Sequence, residues 1–276
     1  MNKRILITGS NGFVGKNLYK QLIVFYNVFG VSDNESEYTD KIADITNKEI
    51  LNKILDEINP EQIIHCAYYP HVDGCEANPE KAYKINIEGT KNIIEWCEKN
   101  SKKLIFLSTD YVYSINGDIL NKEDSNIGAL NIYTQNKIDN EKEILNRLND
   151  FIIIRTGFIY GDDKGGKNFL MQIIESEGGM EVPEDQIINP TYIGFLCEII
   201  ERMIELDSKG IFNVNGKESI SRIDFARQIA ESLKLKSKPW GILTKNINYK
   251  AKRPLYCKID SSRAYEKTGI IPKTNK

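Results

Sequence analysis

Residues 4–15, Arg-Ile-Leu-Ile-Thr-Gly-Ser-Asn-Gly-Phe-Val-Gly, constrain this chain more than any other stretch. The apolar run Ile5-Leu6-Ile7 reads as a strand buried on both faces of a parallel sheet. It stops at Thr8-Gly9, and a helical pattern follows, with Phe13, Leu18, Leu22 and Ile23 along one stripe. Gly9, Gly12 and Gly15 sit at the join. A strand that turns this sharply into a helix gathers unpaired N–H groups and the positive end of the helix dipole at one point, where a pyrophosphate can sit. Gly9 allows the turn, Gly12 leaves room for the phosphate, and Gly15 lets the helix lie close on the strand. The GxxGxxG spacing is one residue longer than the GxGxxG fingerprint. It predicts a dinucleotide site, against the simpler reading of a bare strand–turn–helix joint.

The same alternation continues downstream. Asn27–Val31 reads as a second strand with Ser32-Asp33-Asn34 at its tip. An acid at that position bonds a ribose 2′-hydroxyl, whereas a base accepts a 2′-phosphate. Asp33 would repel the phosphate if it points inward and Ser32 would tolerate it, so NAD and NADP both stay open. Thr46 is the expected N-cap of a helix that Pro60 ends. Asp44 either caps the adenine end of the site or is a turn residue. Gln62–Ala67 reads as a third strand, with His65 packed inside it. His65, His71, Asp73 and Cys75 match no metal-ligand spacing, so no metal is expected. Asn78-Pro79 opens a helix that runs to about Asn100. Asn86 within it either faces solvent or braces the site. Lys103–Ser108 is a fourth strand, and Ser108-Thr109-Asp110-Tyr111 stands at its carboxyl end, where open α/β sheets bind ligands. Residues 114–131 read as a loop over the site. A helix from Tyr133 to about Leu148 and a strand at Phe151–Thr156 follow.

This pattern predicts a Rossmann-type, doubly wound parallel α/β sheet. Residues 1–160 would form the NAD(P)-binding domain. Residues 161–276 would form a smaller α/β substrate-binding region, interleaved with the first and opened by the Gly- and Lys-rich stretch 162–180. A helix at Tyr192–Leu206, a strand at Ile211–Val214 and a helix at Ser221–Leu233 are expected there.

Tyr133 and Lys137 lie four residues apart and share a helix face, turned toward Thr109. A phenol has a reference pKa near ~10. An ammonium a few ångströms away would lower it and let it hand a proton to a developing alkoxide.

Bulk properties exclude other classes. Net charge is −2 over 276 residues, with basic residues dispersed, so neither nucleic-acid binding nor a polybasic membrane anchor is expected. No apolar run approaches the roughly 18 residues of a membrane span. Five cysteines with no CxxC pair and no preceding secretory signal fit free thiols in the cytoplasm.

Taken together, these stretches resemble the extended short-chain dehydrogenases/reductases. Among them the chain is most similar to the dTDP-4-dehydrorhamnose reductase family, whose substrate-binding domain is called RmlD-type. The likeness is carried by Thr8–Gly15, Ile64–Asp73, Asn86–Thr90, Ser-Thr-Asp-Tyr-Val-Tyr at 108–113, and the Tyr133/Lys137 pair. Arg155–Phe158, Asp185–Tyr192 and Arg253-Pro254 complete it. The resemblance implies reduction of a 4-keto group on a nucleotide-linked deoxysugar with NADPH or NADH, in the synthesis of surface-polysaccharide sugars. It implies a catalytic triad of Thr109, Tyr133 and Lys137. Cofactor contacts would come from Gly9, Asn11, Gly12, Phe13, Val14, Gly15, Ser32, Asp44, Ile45, Cys66, Ala67 and Tyr68, with Tyr133 and Lys137. Sugar contacts would come from Val72, Tyr111 and Phe158, the last standing where the best-known members carry Trp. A homodimer is compatible with the family.

Related chemistries fit less well. A sugar 4,6-dehydratase needs an Asp-Glu pair where this chain has Asp110-Tyr111. An epimerase/reductase similar to GDP-fucose synthase needs a Cys near Tyr111 and a His beyond residue 156, and neither stands there in the sequence. A nucleotide-sugar 4-epimerase and a non-catalytic, dinucleotide-binding regulatory subunit are the alternatives.

Overall fold

A computed structural model of the chain describes residues 3–162 and 168–272. Its centre is a seven-stranded sheet of β1 (Arg4–Thr8), β2 (Asn27–Ser32), β3 (Lys41–Ile42), β4 (Gln62–His65), β5 (Lys103–Thr109), β6 (Phe151–Thr156) and β7 (Gly210–Asn213). The order across the sheet is β7-β6-β5-β4-β1-β2-β3, and every pair is parallel. β1 has β2 on one side and β4 on the other, so the winding reverses there. That switch point opens a crevice at the carboxyl ends of the strands.

Ten α-helices accompany the sheet among the described residues: α1 (Phe13–Leu22), α2 (Lys48–Ile58), α3 (Val72–Ala77), α4 (Pro79–Tyr83), α5 (Thr90–Asn100), α6 (Ile132–Arg147), α7 (Phe169–Glu175), α8 (Ile193–Glu205), α9 (Arg222–Ser232) and α10 (Ser262–Thr268). Strand side chains alternate between two cores. Ile5 and Ile7 pack with Leu18 and Leu22 of α1 and with Leu196, Ile200 and Met203 of α8. Leu6 packs on the other face with Leu55 of α2, Ile93 and Cys97 of α5, and Ile144 of α6. Both faces are covered, which is why the strands read as unbroken apolar runs.

The helix expected to run from Pro79 to Asn100 is not a single α-helix. A π-helical turn, Lys84–Gly89, separates α4 from α5. Buried Asn86 sits in that turn and grips the loop after β4. Its Oδ1 accepts the Tyr69 N–H at 2.7 Å, its Nδ2 donates to the Tyr69 carbonyl at 3.3 Å, and its own carbonyl accepts Asn140 Nδ2 at 2.8 Å. The extra residue in the turn presents Asn86 inward, and such bulges concentrate at functional sites. Asn47, not Thr46, caps α2 by accepting the Ile50 N–H at 3.2 Å. Asp44 instead accepts the Thr46 N–H at 2.8 Å in a local turn, and so displaces the cap by one residue. α3 was not expected from the sequence.

Residues beyond 160 rejoin the main sheet through β7, α8 and α10. A separate small core holds Phe169 and Ile173 of α7, Val182, Ile188, and Phe225 and Ala226 of α9. It is framed by short strand pairs, Glu181–Pro183 with Trp240–Ile242 and Ile187–Ile188 with Ile220–Ser221. Within the Gly- and Lys-rich stretch, 163–167 lie outside the described residues. No helix among the described residues is long and apolar enough to cross a membrane.

Candidate active site

The glycine turn shows why each glycine is needed. Gly9 adopts φ +63°, and a Cβ there would lie 2.6 Å from the Ala67 nitrogen. A Cβ on Gly15 would collide with the Gly9 carbonyl, so this residue sets the closeness of α1 to β1. At Gly12 the only near neighbour of a Cβ is the Gly9 oxygen, at 3.2 Å. The rest of that space opens into a cavity of about 340 Å³ lined by Gly9, Asn11, Gly12, Ser32, Asp33, Asp44, Ile45, Cys66, Ala67 and Tyr68. The cradle fits a dinucleotide: α1 begins at Phe13, its first N–H groups have no intrahelical partner, and no side chain at Gly12 covers them. Phe13 and Gly15 line neither cavity described here. Phe13 packs against the core, and both residues can offer only backbone N–H. At the tip of β2, Asp33 Oδ1 accepts Asn34 Nδ2 at 2.8 Å and Ser32 Oγ at 3.3 Å.

A second cavity, about 430 Å³, adjoins the first through Cys66 and Tyr68, which line both. Val14, Val72, Thr109, Asp110, Tyr111, Tyr133, Lys137 and Phe158 line it, so all three residues of the expected triad and all three expected sugar contacts meet there. Thr109 ends β5. Tyr133 and Lys137 occupy successive turns of α6, whose start is fixed by Asn131 accepting the Thr134 N–H at 2.9 Å. The Tyr133 ring stands edge-to-face with Tyr68 at 5.9 Å and with Tyr111 at 6.5 Å.

The electrostatics differ from the expectation drawn from spacing. Burial pushes the Tyr133 phenol well above its ordinary value, and the Thr109 hydroxyl partly offsets this. Lys137 is not among the groups that pull it down. Its Nζ donates to the Leu107 carbonyl at 2.6 Å and sits 3.3 Å from the centre of the Tyr68 ring and 4.6 Å from that of Phe106. Burial brings Lys137 down to about 7. Asp110, 2 % exposed, is raised to about 7, also by burial. Gly157 makes room for it, since a Cβ there would fall on the Asp110 carboxyl.

A buried ion pair lies behind the triad. Arg155 on β6 holds Glu141 of α6 at 2.7 Å, and Ser108 Oγ donates to the same carboxylate. Arg155 Nη1 also donates to the Tyr113 hydroxyl at 2.7 Å, which donates to Asn213 Oδ1 of β7 at 2.9 Å. This network clamps α6 to three strands. His65 is packed as expected. Its ring nitrogens meet Thr8 Oγ1 at 2.7 Å and Thr90 Oγ1 at 3.0 Å, and burial holds it neutral, down to about 3.

Sequence order hid some of the lining. Gln186, Ile188, Pro254 and Cys257 reach the cavity from the C-terminal region. Cys257 and Tyr111 line the same cavity, so a thiol reaches it from the C-terminal tail although none stands near Tyr111 in the sequence. The histidine of the epimerase/reductases still has no counterpart, as both histidines precede residue 156. The Asp185–Tyr192 and Arg253-Pro254 stretches were the available signals. Arg253 pairs with Asp73 of α3 at 2.8 Å and so brings the tail to the site.

The chain is similar to known proteins in sequence and in fold. Residues 3–276 match the family model of the RmlD substrate binding domain. The dTDP-4-dehydrorhamnose reductase of Aggregatibacter actinomycetemcomitans is 30% identical, over 98% of this chain and 94% of its own. The crystal structure of the dTDP-4-dehydrorhamnose reductase of Bacillus anthracis str. Ames in complex with NADP superposes with a TM-score of 0.85 at 32% identity, covering 94% of this chain and 90% of that one. Methionine adenosyltransferase 2 subunit beta of Bos taurus is 24% identical, over 99% of this chain and 84% of its own.

Proposed function

We infer the reaction from the premise that this chain belongs to the RmlD substrate binding domain family. It is an NAD(P)H-dependent oxidoreductase that reduces the 4-keto group of a nucleotide-linked deoxysugar, as a step toward polysaccharide sugars. One observation carries this reading: Thr109, Tyr133 and Lys137 line a single cavity that opens into the glycine crevice.

When bound, a reduced dinucleotide would supply the hydride for the carbonyl carbon. The chain's own residues do the rest. Gly12 and the first turn of α1 would hold the pyrophosphate, Ser32 and Asp33 would meet the adenosine ribose, and Asp44 and Ile45 would border the adenine end. Thr109 bonds the substrate oxygen. Tyr133, kept protonated by its surroundings, delivers a proton to that oxygen as negative charge develops on it. Lys137 would stabilise the phenolate left behind once its ammonium turns from the Tyr68 face and the Leu107 carbonyl toward Tyr133. Val72, Tyr111 and Phe158 border the sugar. The small core around Phe169 and Phe225 forms the substrate-binding region, within residues 161–276 and interleaved with the NAD(P)-binding residues 1–160. The near-neutral net charge and five free cysteines support a cytoplasmic protein with no nucleic-acid partner, and a homodimer is compatible with the family.

The test is oxidation of NADPH or NADH by purified protein offered a panel of 4-keto nucleotide sugars. Substrate-dependent loss of reduced cofactor is expected. The match to an adenosyltransferase subunit supports a second reading, a dinucleotide-binding regulatory subunit. That reading predicts dinucleotide affinity without turnover on any of these substrates.

A further inference from the structure

We propose that Tyr68 is a positioning residue: its ring holds Lys137 away from Tyr133 and stands in the passage between the two cavities, so the nicotinamide end of the cofactor must displace it. The inference rests on the reading that the dinucleotide spans both cavities.

Three observations carry it. First, Tyr68 and Cys66 are the residues that line both cavities, and Tyr68 is by far the larger. Second, the Lys137 ammonium lies 3.3 Å from the centre of the Tyr68 ring and points its hydrogen bond at the Leu107 carbonyl, not at the phenol four residues before it. Among the described residues no carboxylate forms a close ion pair with Lys137: Glu141, one turn further along α6, is paired with Arg155 and acts on the ammonium only at longer range. The aromatic faces of Tyr68 and Phe106 therefore do the work of a counter-charge. Third, the ring is steered from both ends. It meets Tyr133 edge-to-face at 5.9 Å, and its hydroxyl receives Asn140 Nδ2 at 3.4 Å. Asn140 is anchored in turn on the Asn86 carbonyl at 2.8 Å, inside the π-helical turn. A ring held this way can rotate out only by giving up its contact with the ammonium.

The test compares two probes on four proteins. ADP fills only the first cavity, whereas NADH needs both. Their dissociation constants are measured by calorimetry for the wild type and for Tyr68→Phe, Tyr68→Leu and Tyr68→Ala. Tyr68→Phe keeps the aromatic face and is expected to match the wild type with both probes. Tyr68→Leu keeps apolar bulk but has no π-face, and it serves if Tyr68→Ala does not fold. In the Leu and Ala variants NADH affinity should rise relative to ADP affinity by roughly fivefold to thirtyfold, the scale of a desolvated cation–π contact. NADH binding that weakens while ADP is unaffected would overturn the proposal and make the ring a platform for the nicotinamide. Equal shifts with both probes, or none with either, would also overturn it. A wild type that binds neither probe would sink the reductase reading along with the proposal. A wild type that prefers NADH over ADP, with indifferent variants, sinks the Tyr68 proposal alone.

Discussion

The crevice beside Gly12 and the cavity beside Tyr133 adjoin, yet they are made of different materials. The crevice is organised around backbone: a left-handed glycine and a helix start within one strand–turn–helix unit, flanked by the end of β2 and the loop after β4. The cavity is built from side chains that arrive from β4, β5, α6 and the C-terminal tail. A site made of backbone depends on close approach and fails through added atoms. A site made of side chains depends on the scaffold that aims them and fails through lost partners. Each of the following changes separates those two modes of failure.

The largest effect is expected from Tyr133→Phe. The ring would keep its edge-to-face contacts with Tyr68 and Tyr111, so folding and ADP binding should not change. Turnover on an accepted keto sugar should fall by about 10²–10⁴-fold, the usual worth of a positioned proton donor. Steady-state kinetics check this, and a variant with full kcat would remove Tyr133 from the reaction.

Next comes the scaffold of the same cavity. Glu141→Gln leaves the Arg155 guanidinium buried, 3 % exposed, and without its anion. Stability should drop by about 3–5 kcal/mol, because an uncompensated charge costs more than the pair contributes. Urea unfolding measures the loss. Activity at low temperature should fall as well, since Glu141 fixes the helix that carries Tyr133 and Lys137. A variant as stable as the parent would show that the clamp is dispensable.

The backbone site breaks differently. Gly15→Ala pushes a methyl group into the Gly9 carbonyl and forces α1 off β1, so both stability and dinucleotide binding should suffer, the former by about 1–3 kcal/mol. Gly12→Ala meets only an oxygen at 3.2 Å and should leave the melting temperature nearly unchanged while weakening NADH binding roughly tenfold. If both variants lost binding and stability equally, the cradle would not be the anion site.

The same contrast explains what could be read from the chain. The glycine spacing encodes its own geometry within seven residues: Gly9 makes the turn and Gly15 the close approach that the spacing assigns them. The i, i+4 relation correctly put Tyr133 and Lys137 on one helix near Thr109. It could not tell that the ammonium would settle on Tyr68 and Leu107, because those partners come from the loop after β4 and from β5. Cys257 and Gln186 were hidden for the same reason, being brought in by the tail and the small core. The π-helical turn has no periodicity signal of its own, because one inserted residue leaves the apolar stripe nearly intact. Only the tertiary bonds of Asn86 reveal it.

The smallest effect concerns Asp110, and it separates fold from function inside the side-chain cavity. Its carboxyl is buried beside Thr109 and Asn215, with Tyr111, Tyr133 and Cys257 as its titratable neighbours, and burial raises it from 3.8 to about 7. The folded protein therefore holds this proton more tightly than the unfolded chain does. Below about pH 4 the group is neutral in both states and costs nothing. As pH rises from about 4 to 7, folding increasingly buries a charge, and stability is lost. Asp110→Asn does not titrate and keeps an oxygen to accept from Thr109. It should therefore be more stable than the parent by roughly 1–3 kcal/mol at pH 8 and no more stable at pH 4. Lys137, lowered to about 7, and His65, lowered to about 3, titrate in both proteins and cancel in the difference. Melting curves of the two proteins across this range measure the gap. A gap that does not grow with pH would mean that Asp110 is not a buried acid held at a cost, and the cavity would then lack the strained charge that marks it off from the backbone crevice.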